Sequence, residues 1–540
     1  MTSGTPSVTR SYDFIGFGDE IPGILALIAA AREYRRRIGN FPRSLLMLKG
    51  NSKQGIGGHL VRGGLAYLDR SQIPLSLRNY LNLPDFGEPP ALYKEFLNKT
   101  GVDKVALDRW RADAVLRQML REAGVDILSG VAIESVTKEG SRLRGIRAQN
   151  GEVYVAQYFI DSTVNAELAQ AAGVPKLPGF GTLGLPESEL SVSLVFETEG
   201  LSPSTLKQIE LEYIKRFSNP SDTEAQRYLN AATDGDSALA NLLRLELVDQ
   251  LGKPKSMWIG SDYIDIPTKA LSIAYHAYRG TKLSLKESFS ILDNANVARM
   301  PNDRLVWNAL LFWVTAAEAE NLARSGAKPT PAMLQEMTFI DRWFRSLGAT
   351  QVRSMPELYI RHAGNITDAV QPLSGTQMLV GGIPTAEALG TFGYHFDIRG
   401  GIDGLKARAQ EKGVGLKDYL LEKGSQQLHF QQPLFNVGMR HAIAKSVPNL
   451  AVVSPASGFV GLASSAGRIV EFNAGVGQAI GIAATLALLS KRTLAQITNS
   501  EVRSVLIETG KLPRLYPLVY NKEAERLRQL EQALALAPAS

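Results

Sequence analysis

The sequence predicts an α/β fold: a nucleotide-binding domain assembled from discontinuous segments, with a mixed α+β domain inserted between them. Two stretches carry this expectation. Near the N-terminus, Tyr12-Asp13-Phe14-Ile15-Gly16-Phe17 is a short apolar strand, and Gly18-Asp19-Glu20-Ile21-Pro22-Gly23 turns it into the apolar helix Ile24 to Ala31. More than 400 residues later, Gly475-Val476-Gly477-Gln478-Ala479-Ile480-Gly481 opens a second helix of small residues. A strand, a glycine turn and a helix bring backbone N–H groups and a helix dipole onto one anion, so the two stretches read as halves of one nucleotide site.

The elements follow in order. Residues 12–17 form a strand, 22–37 a helix and Ser44-Leu45-Leu46-Met47-Leu48 a second buried strand. Gly55, Gly57, Gly58, Gly63 and Gly64 then make a loop suited to close approach by a ligand. Lys104 to Ala123 has helical periodicity through Leu107, Val115, Leu116 and Met119, and Gly124 stops it. Val125 to Leu128 is a strand, Val131 to Lys138 and Arg142 to Ala148 pair around Glu139-Gly140, and Asn150-Gly151 turns into the strand Val153 to Ile160. After about Phe180 the composition changes. Leu190 to Glu197 alternates as a strand, 216–240 is polar, and 303–325 and 331–347 read as helices. From 432 onward the buried strand–helix pattern resumes. The expected organisation is a nucleotide domain from 10–180 and 431–495, an inserted unit at 181–430 and a helical tail at 496–540. In that tail, Lys522 to Ala537 puts Leu527, Leu530 and Leu534 on one stripe, for docking onto the parent fold.

With 540 residues, 44% of them apolar and 21% charged, the chain is long enough for two or three domains of an ordinary globular protein. A net charge of +6 is mild over that length and demands no nucleic-acid partner. The densest basic run, Arg32 to Arg37, ends the first helix, where cations complement the dipole. Cysteine is absent, which excludes dithiol–disulfide chemistry, thiolate-ligated metals, iron–sulfur clusters and cysteinyl cofactor links. Met1 to Arg10 is polar, with no apolar signal region. Ala474 to Leu489 contains Gln478 and falls short of the roughly 20 residues that span a bilayer. A soluble, cytoplasmic protein with no integral membrane segment is expected. No H-E-x-x-H, aspartate cluster or serine nucleophile elbow stands out, so neither metal nor hydrolase chemistry is expected.

Gly18 and Gly23 stand five apart, after a strand and at a helix start, as the outer glycines of a G-x-G-x-x-G turn do. The middle glycine, which lets backbone approach a pyrophosphate, is here Glu20. The acid that should end the second strand and bind ribose hydroxyls is Lys49. Three readings stay open. The two residues compensate, through a salt bridge or a lysine–phosphate contact; Lys49 meets a phosphorylated ribose; or the site is partly decayed. An unpaired carboxylate facing a pyrophosphate costs on the order of a few kcal/mol, enough to weaken binding severely.

Several segments in this order resemble a family: Tyr12 to Gly23, Gly57-Gly58…Gly63-Gly64, Arg121-Glu122-Ala123-Gly124-Val125, Asp161 to Ala169, Trp307 to Leu311, Pro448 to Val452, and Arg468 ahead of Gly477-Gln478-Ala479-Ile480-Gly481. Together they resemble the FAD-dependent oxidoreductases of glutathione-reductase-like topology, with a long insertion between two FAD segments. The resemblance covers about 10–180 and 430–495, and the middle loosely. It implies a Rossmann-like FAD-binding domain in which Gly18 and Gly23 bound the pyrophosphate turn, Lys49 lies near the adenosine ribose and Thr163 sits beside the turn. It implies further that Gly57 and Gly58 pass near the flavin ring and that Gly477, Gln478 and Ala479 point N–H groups at the pyrimidine edge, where negative charge develops on reduction. Val164 departs from the family's glycine.

The resemblance implies a non-covalently held FAD that takes hydride at N5 from a small-molecule substrate. Histidine is the natural proton acceptor near neutral pH, and His59, in the loop placed beside the flavin, and His395, in Tyr394 to Arg399, are the candidates. Arg62, Arg440 and Arg468 are candidates for a substrate carboxylate or phosphate, or for locking loops. His276 and His362 read as structural or surface residues. Two alternatives stand beside this: a retained fold that has lost FAD binding or turnover and serves as a binding or scaffold protein, and a nicotinamide enzyme using Lys49. Substrate and oligomeric state stay open.

Overall fold

The computed structural model describes residues 8–294, 296–398, 401–415, 430–518 and 521–535. Its first sheet is built around β1 (Thr9–Phe17), whose Phe14, Ile15 and Phe17 are fully buried because both faces of the strand are covered. β2 (Ser44–Leu48) and β3 (Val125–Ser129) extend the sheet in parallel on one side. On the other side β6 (Val153–Asp161) pairs in parallel with β1. The free edge of β6 is shared. Its first half carries the antiparallel hairpin β4 (Ile133–Glu139) and β5 (Arg142–Ala148), and its last residues pair in parallel with β7 (Leu450–Val452). Chain segments 291 residues apart thus close one sheet, and the α/β architecture expected from the sequence is the one observed.

α1 (Ile21–Ile38) covers this sheet with an unbroken buried run from Ile21 to Ala31. Its last turn carries Arg35, Arg36 and Arg37, and Arg36 and Arg37 pair with Glu33 one turn back. α2 (Arg109–Glu122) starts later than its periodicity suggests. Asp108 caps it, accepting from the N–H groups of Trp110 and Arg111 at 3.0 and 3.1 Å. Lys104, Val105 and Ala106 stay outside because all three donate their N–H groups to one Asp262 oxygen at 2.9 Å. α3 (Val470–Ser490) lies along α1. In length and composition it is apolar enough to cross a membrane, but most of it is buried inside the fold.

A second core draws on residues 192–363. Its six-stranded antiparallel sheet runs 258–259, 263–265, 296–300, 304–307, 196–199, 351–354, with a three-stranded sheet of 290–292, 310–312 and 192–193 beside it. Two expectations fail here. Leu190 to Glu197 is two short strands in two different sheets, and 303–312 is not helical. Trp307, Leu310 and Leu311 are buried in strands, and the helix begins only at Ala316, behind a Thr315/Glu318 capping box. Side chains of Met378, Phe392, Phe396 and Ala409, expected within the inserted stretch, return to the first core. The last helix, Ala524–Leu534, buries Leu527, Leu530 and Leu534 against that core, as its stripe requires.

Candidate cofactor cleft

β1 delivers Gly18 to the mouth of the sheet with φ +92°, and a Cβ there would meet the Thr163 backbone at 2.7 Å. A Cβ at Gly23 would collide with Ser162, whose hydroxyl donates to the Gly18 carbonyl at 2.8 Å. Both outer glycines are therefore needed where the end of β6 crosses the turn, and Thr163 stands beside it.

Between them, Asp19 and Glu20 reach across to the glycine loop. Asp19 accepts from the N–H groups of Gly57 and Gly58 at 3.0 and 3.3 Å, and Glu20 accepts from His59 N–H at 3.1 Å. Gly57 and Gly58 have positive φ, so three successive N–H groups turn inward as an anion-binding nest. The anions in it are the chain's own carboxylates. The Glu20 carboxylate lies hard against Gly58, where a Cβ would strike it, and also contacts His59 Nδ1.

Arg62 is buried on Asp19, pairing with both its oxygens (2.9 Å for Nη2–Oδ1), and extends to Glu357 Oε1 at 2.7 Å and to the Gly55 carbonyl at 3.0 Å. Burial opposes ionisation of Asp19, yet the Arg62 charge and the hydrogen bonds from Arg62, Gly57 and Gly58 hold its carboxyl below the usual range. For Glu357 burial wins and pushes the carboxyl up to about 7 against the pull of Arg62. The Arg62 guanidinium lies across Gly50, where a Cβ would come within 2.6 Å of it.

Lys49 does not reach Glu20. Its ammonium pairs with Glu167 at 2.8 Å and donates to the Arg324 carbonyl at 2.5 Å. The Glu20–Lys49 salt bridge weighed from the sequence is therefore replaced by two separate pairs, Glu20–His59 and Lys49–Glu167. Behind Lys49, Asp161 accepts from Thr163 N–H and hydroxyl at 2.9 and 2.7 Å and from Ala169 N–H at 2.9 Å. Burial still pushes this carboxyl up to about 6. Val164 packs on the edge of the second core.

The C-terminal half-site needs correction. α3 starts at Val470, so Gly477, Gln478 and Ala479 sit in its third turn, with N–H groups inside the helix rather than at its open end. Their small size serves packing. A Cβ at Gly477 would collide with the Pro22 carbonyl and one at Gly481 with the Ala26 carbonyl, so α1 and α3 touch backbone to backbone. Gln478 accepts from Leu92 N–H at 2.8 Å. In the first turn of α3, buried Glu471 pairs with Arg70 at 2.5 Å and accepts from Ser71 N–H at 3.0 Å.

Next to His59 the cleft becomes a small polar chamber lined by Tyr67, Asp69, Tyr359, Arg361, Asp397 and Arg468, among others. The His59 ring stacks on Tyr359, with centroids 4.9 Å apart and planes 18° apart. Arg468, buried, donates to Tyr359 Oη at 2.6 Å and to Asp397 at 2.5 Å. His395 is exposed and stacks on Tyr394, another lining residue, at 4.5 Å. Tyr359, Arg361, Asp397 and Asp69 were not singled out from the sequence; the period-two spacing of Tyr359 and Arg361 was the one available signal.

Arg440 and the remaining described histidines serve the structure. Arg440 donates to the Ala495 and Ile497 carbonyls at 3.2 and 3.3 Å, locking a loop. His276 is buried between Thr281 and Leu292 N–H, and burial lowers it to about 4. His362 bridges Glu189 and Asn365, at 2.8 Å from each. His441, among Phe459 and Phe472, is lowered by burial to about 3. His429 lies outside the described residues. Among the described residues no acidic, histidine or cysteine group could hold a metal ion.

The family model for FAD dependent oxidoreductases matches residues 56–506. The match begins at the glycine loop, so the turn carrying Glu20 and the strand before Lys49 precede it. No curated protein matches. Solved structures that resemble the fold include a geranylgeranyl bacteriochlorophyll reductase-like protein from Thermoplasma acidophilum, at 10% identity over 98% of this chain and 89% of that one, with a TM-score of 0.37. A mutant of halogenase PltM in complex with FAD is 14% identical over 93% and 74%, with a TM-score of 0.34. The myxobacterial chondrochloren halogenase CndH is 12% identical over 98% and 87%, also at 0.34.

FAD is the cofactor of the matched family, and the sheet, the turn and the glycine loop make the Rossmann frame for it. The frame fits the group. One side chain inside it does not, because the Glu20 carboxylate stands in the nest between turn and loop where a diphosphate would seek the same N–H groups.

Proposed function

We propose, because this chain belongs to the FAD dependent oxidoreductase family, that it passes a hydride between a small organic substrate and N5 of FAD. When bound, FAD supplies the ring that takes up or releases that hydride. Gly18, Gly23 and Thr163 hold the phosphate turn, and Gly57 and Gly58 let backbone pass close to the cofactor. Lys49, fixed by Glu167, closes the ribose end.

The observation that carries this reading is the polar chamber beside His59. His59 is the proton carrier, and stacking on Tyr359 fixes its ring plane. The lining carries two arginines, Arg361 and Arg468, against two aspartates, Asp69 and Asp397, a charge balance that favours a polar, neutral substrate over an anion. Tyr359 and Tyr394 orient it by hydrogen bonds. His395, exposed, is at most a contributor from the rim.

The test is the visible spectrum of the purified protein before and after adding FAD, followed by bleaching of the flavin bands with candidate substrates. Paired flavin bands that bleach support the oxidoreductase. A second reading, a flavoprotein fold kept as a binding or scaffold protein, is favoured by one observation: the carboxylates of Asp19 and Glu20 already fill the nest. Flavin bands that no reductant substrate bleaches, or none at all, would select it.

A further inference from the structure

We infer that Glu20 is a built-in competitor of the cofactor: its carboxylate takes the place of a phosphate in the nest of residues 57–59, and FAD enters only as Glu20 leaves. The inference rests on the reading that this cleft takes FAD.

Three observations lead to it. First, Glu20 is the N-cap of α1 but does not cap it; its backbone is extended (φ −61°, ψ 142°) and its side chain turns away from the helix to accept His59 N–H at 3.1 Å. Its carboxylate thus serves the glycine loop rather than its own helix. Second, Asp19 fills the two preceding N–H groups, of Gly57 and Gly58. The inward N–H groups of this loop are thereby satisfied without an external anion. Third, the neighbouring charges are all paired within the chain: Arg62 with Asp19 and Glu357, and Lys49 with Glu167. No unpaired cation is left in this set to draw an external phosphate.

The two acids of the plug differ in kind. Asp19 is locked by a buried bidentate arginine, whereas Glu20 is held by one backbone N–H and by His59. Glu20 is thus the part of the plug that can move. Its departure also releases His59 Nδ1, so cofactor entry and the freedom of the proton carrier are coupled through one side chain.

The experiment compares the full-length wild type with Glu20→Gly and Glu20→Gln. FAD affinity is measured by calorimetric titration, and melting temperature with and without millimolar inorganic pyrophosphate. Glycine is well accepted at an N-cap, and Gln keeps the size while removing the charge, so a folding defect in one leaves the other informative. The expected result is a gain in FAD affinity of about tenfold or more for Glu20→Gly, with Glu20→Gln between it and wild type. Pyrophosphate should raise the melting temperature of Glu20→Gly and leave the wild type unchanged. Wild type that binds FAD while both variants bind it equally or more weakly overturns the inference and leaves the oxidoreductase reading standing. Variants stabilised by pyrophosphate while no form binds FAD keep the internal anion and sink the oxidoreductase reading. No response to either ligand in any form overturns both.

Discussion

Two glycine segments of this chain look alike in sequence and do opposite things. Gly18 to Gly23 ends a strand, and its glycines yield to a crossing strand while the acids between them take the backbone N–H groups of the facing loop. Gly475 to Gly481 lies inside a helix whose N–H groups are engaged, and its glycines let α1 and α3 meet backbone to backbone. We read the first as part of a site and the second as a joint. The spacing of glycines does not separate the two; where the element begins does. A helix starting at Val470 rather than Gly475 turns an anion site into a packing surface.

Charge removed at the first segment should cost the most. Arg62→Ala leaves Asp19 buried without its partner and should cost about 3–5 kcal/mol, measured by urea unfolding at neutral pH. Loss below about 1 kcal/mol would mean that the turn relaxes around Asp19 and is no fixed plug. At the second segment, Gly481→Val forces a side chain onto the Ala26 carbonyl, for about 1–3 kcal/mol by thermal melting. The joint reading requires this loss to leave FAD affinity per folded molecule unchanged; a selective loss of FAD binding would make the segment part of the site after all.

A third test uses pH. His441 is neutral in the fold, lowered to about 3 against an ordinary 6.5. As pH falls below 6.5 the unfolded chain gains a proton that the folded one refuses, so stability drops between pH 6.5 and 3. His441→Phe, which suits the Phe459 and Phe472 surroundings, should recover about 2 kcal/mol at pH 5 relative to pH 7.5. Parallel stability curves for wild type and variant would contradict it. The smallest effect is expected at Lys49→Ala, whose pair with Glu167 is partly exposed: about 1 kcal/mol or less, read from the shift in denaturation midpoint.

Much of the first sheet was legible because each strand announces itself locally, by an apolar run between glycines. The inserted unit was not. Residues 303–312 carry an apolar pattern that fits a helix, and only pairing with strands such as 196–199, more than 100 residues away, makes them sheet. The same distance hid the chemistry of the site. Glu20 and Lys49 stood out as misfits, but their partners are His59, 39 residues away, and Glu167, 118 away. The chamber draws Tyr359, Asp397 and Arg468 from separate segments, and no local pattern brings them together. Residue types that break a motif were readable; what they do instead depended on the fold.

On our inference, the Glu20 carboxylate sits where a phosphate of the cofactor would bind. Amide hydrogen exchange at His59, in wild type and in Glu20→Gly, tests it most directly. Slow exchange in the wild type, fast exchange in the variant and renewed protection of the variant on adding FAD is the predicted result. Equal exchange in both proteins, or protection in the wild type that FAD leaves unchanged while Glu20→Gly remains as slow, would contradict it.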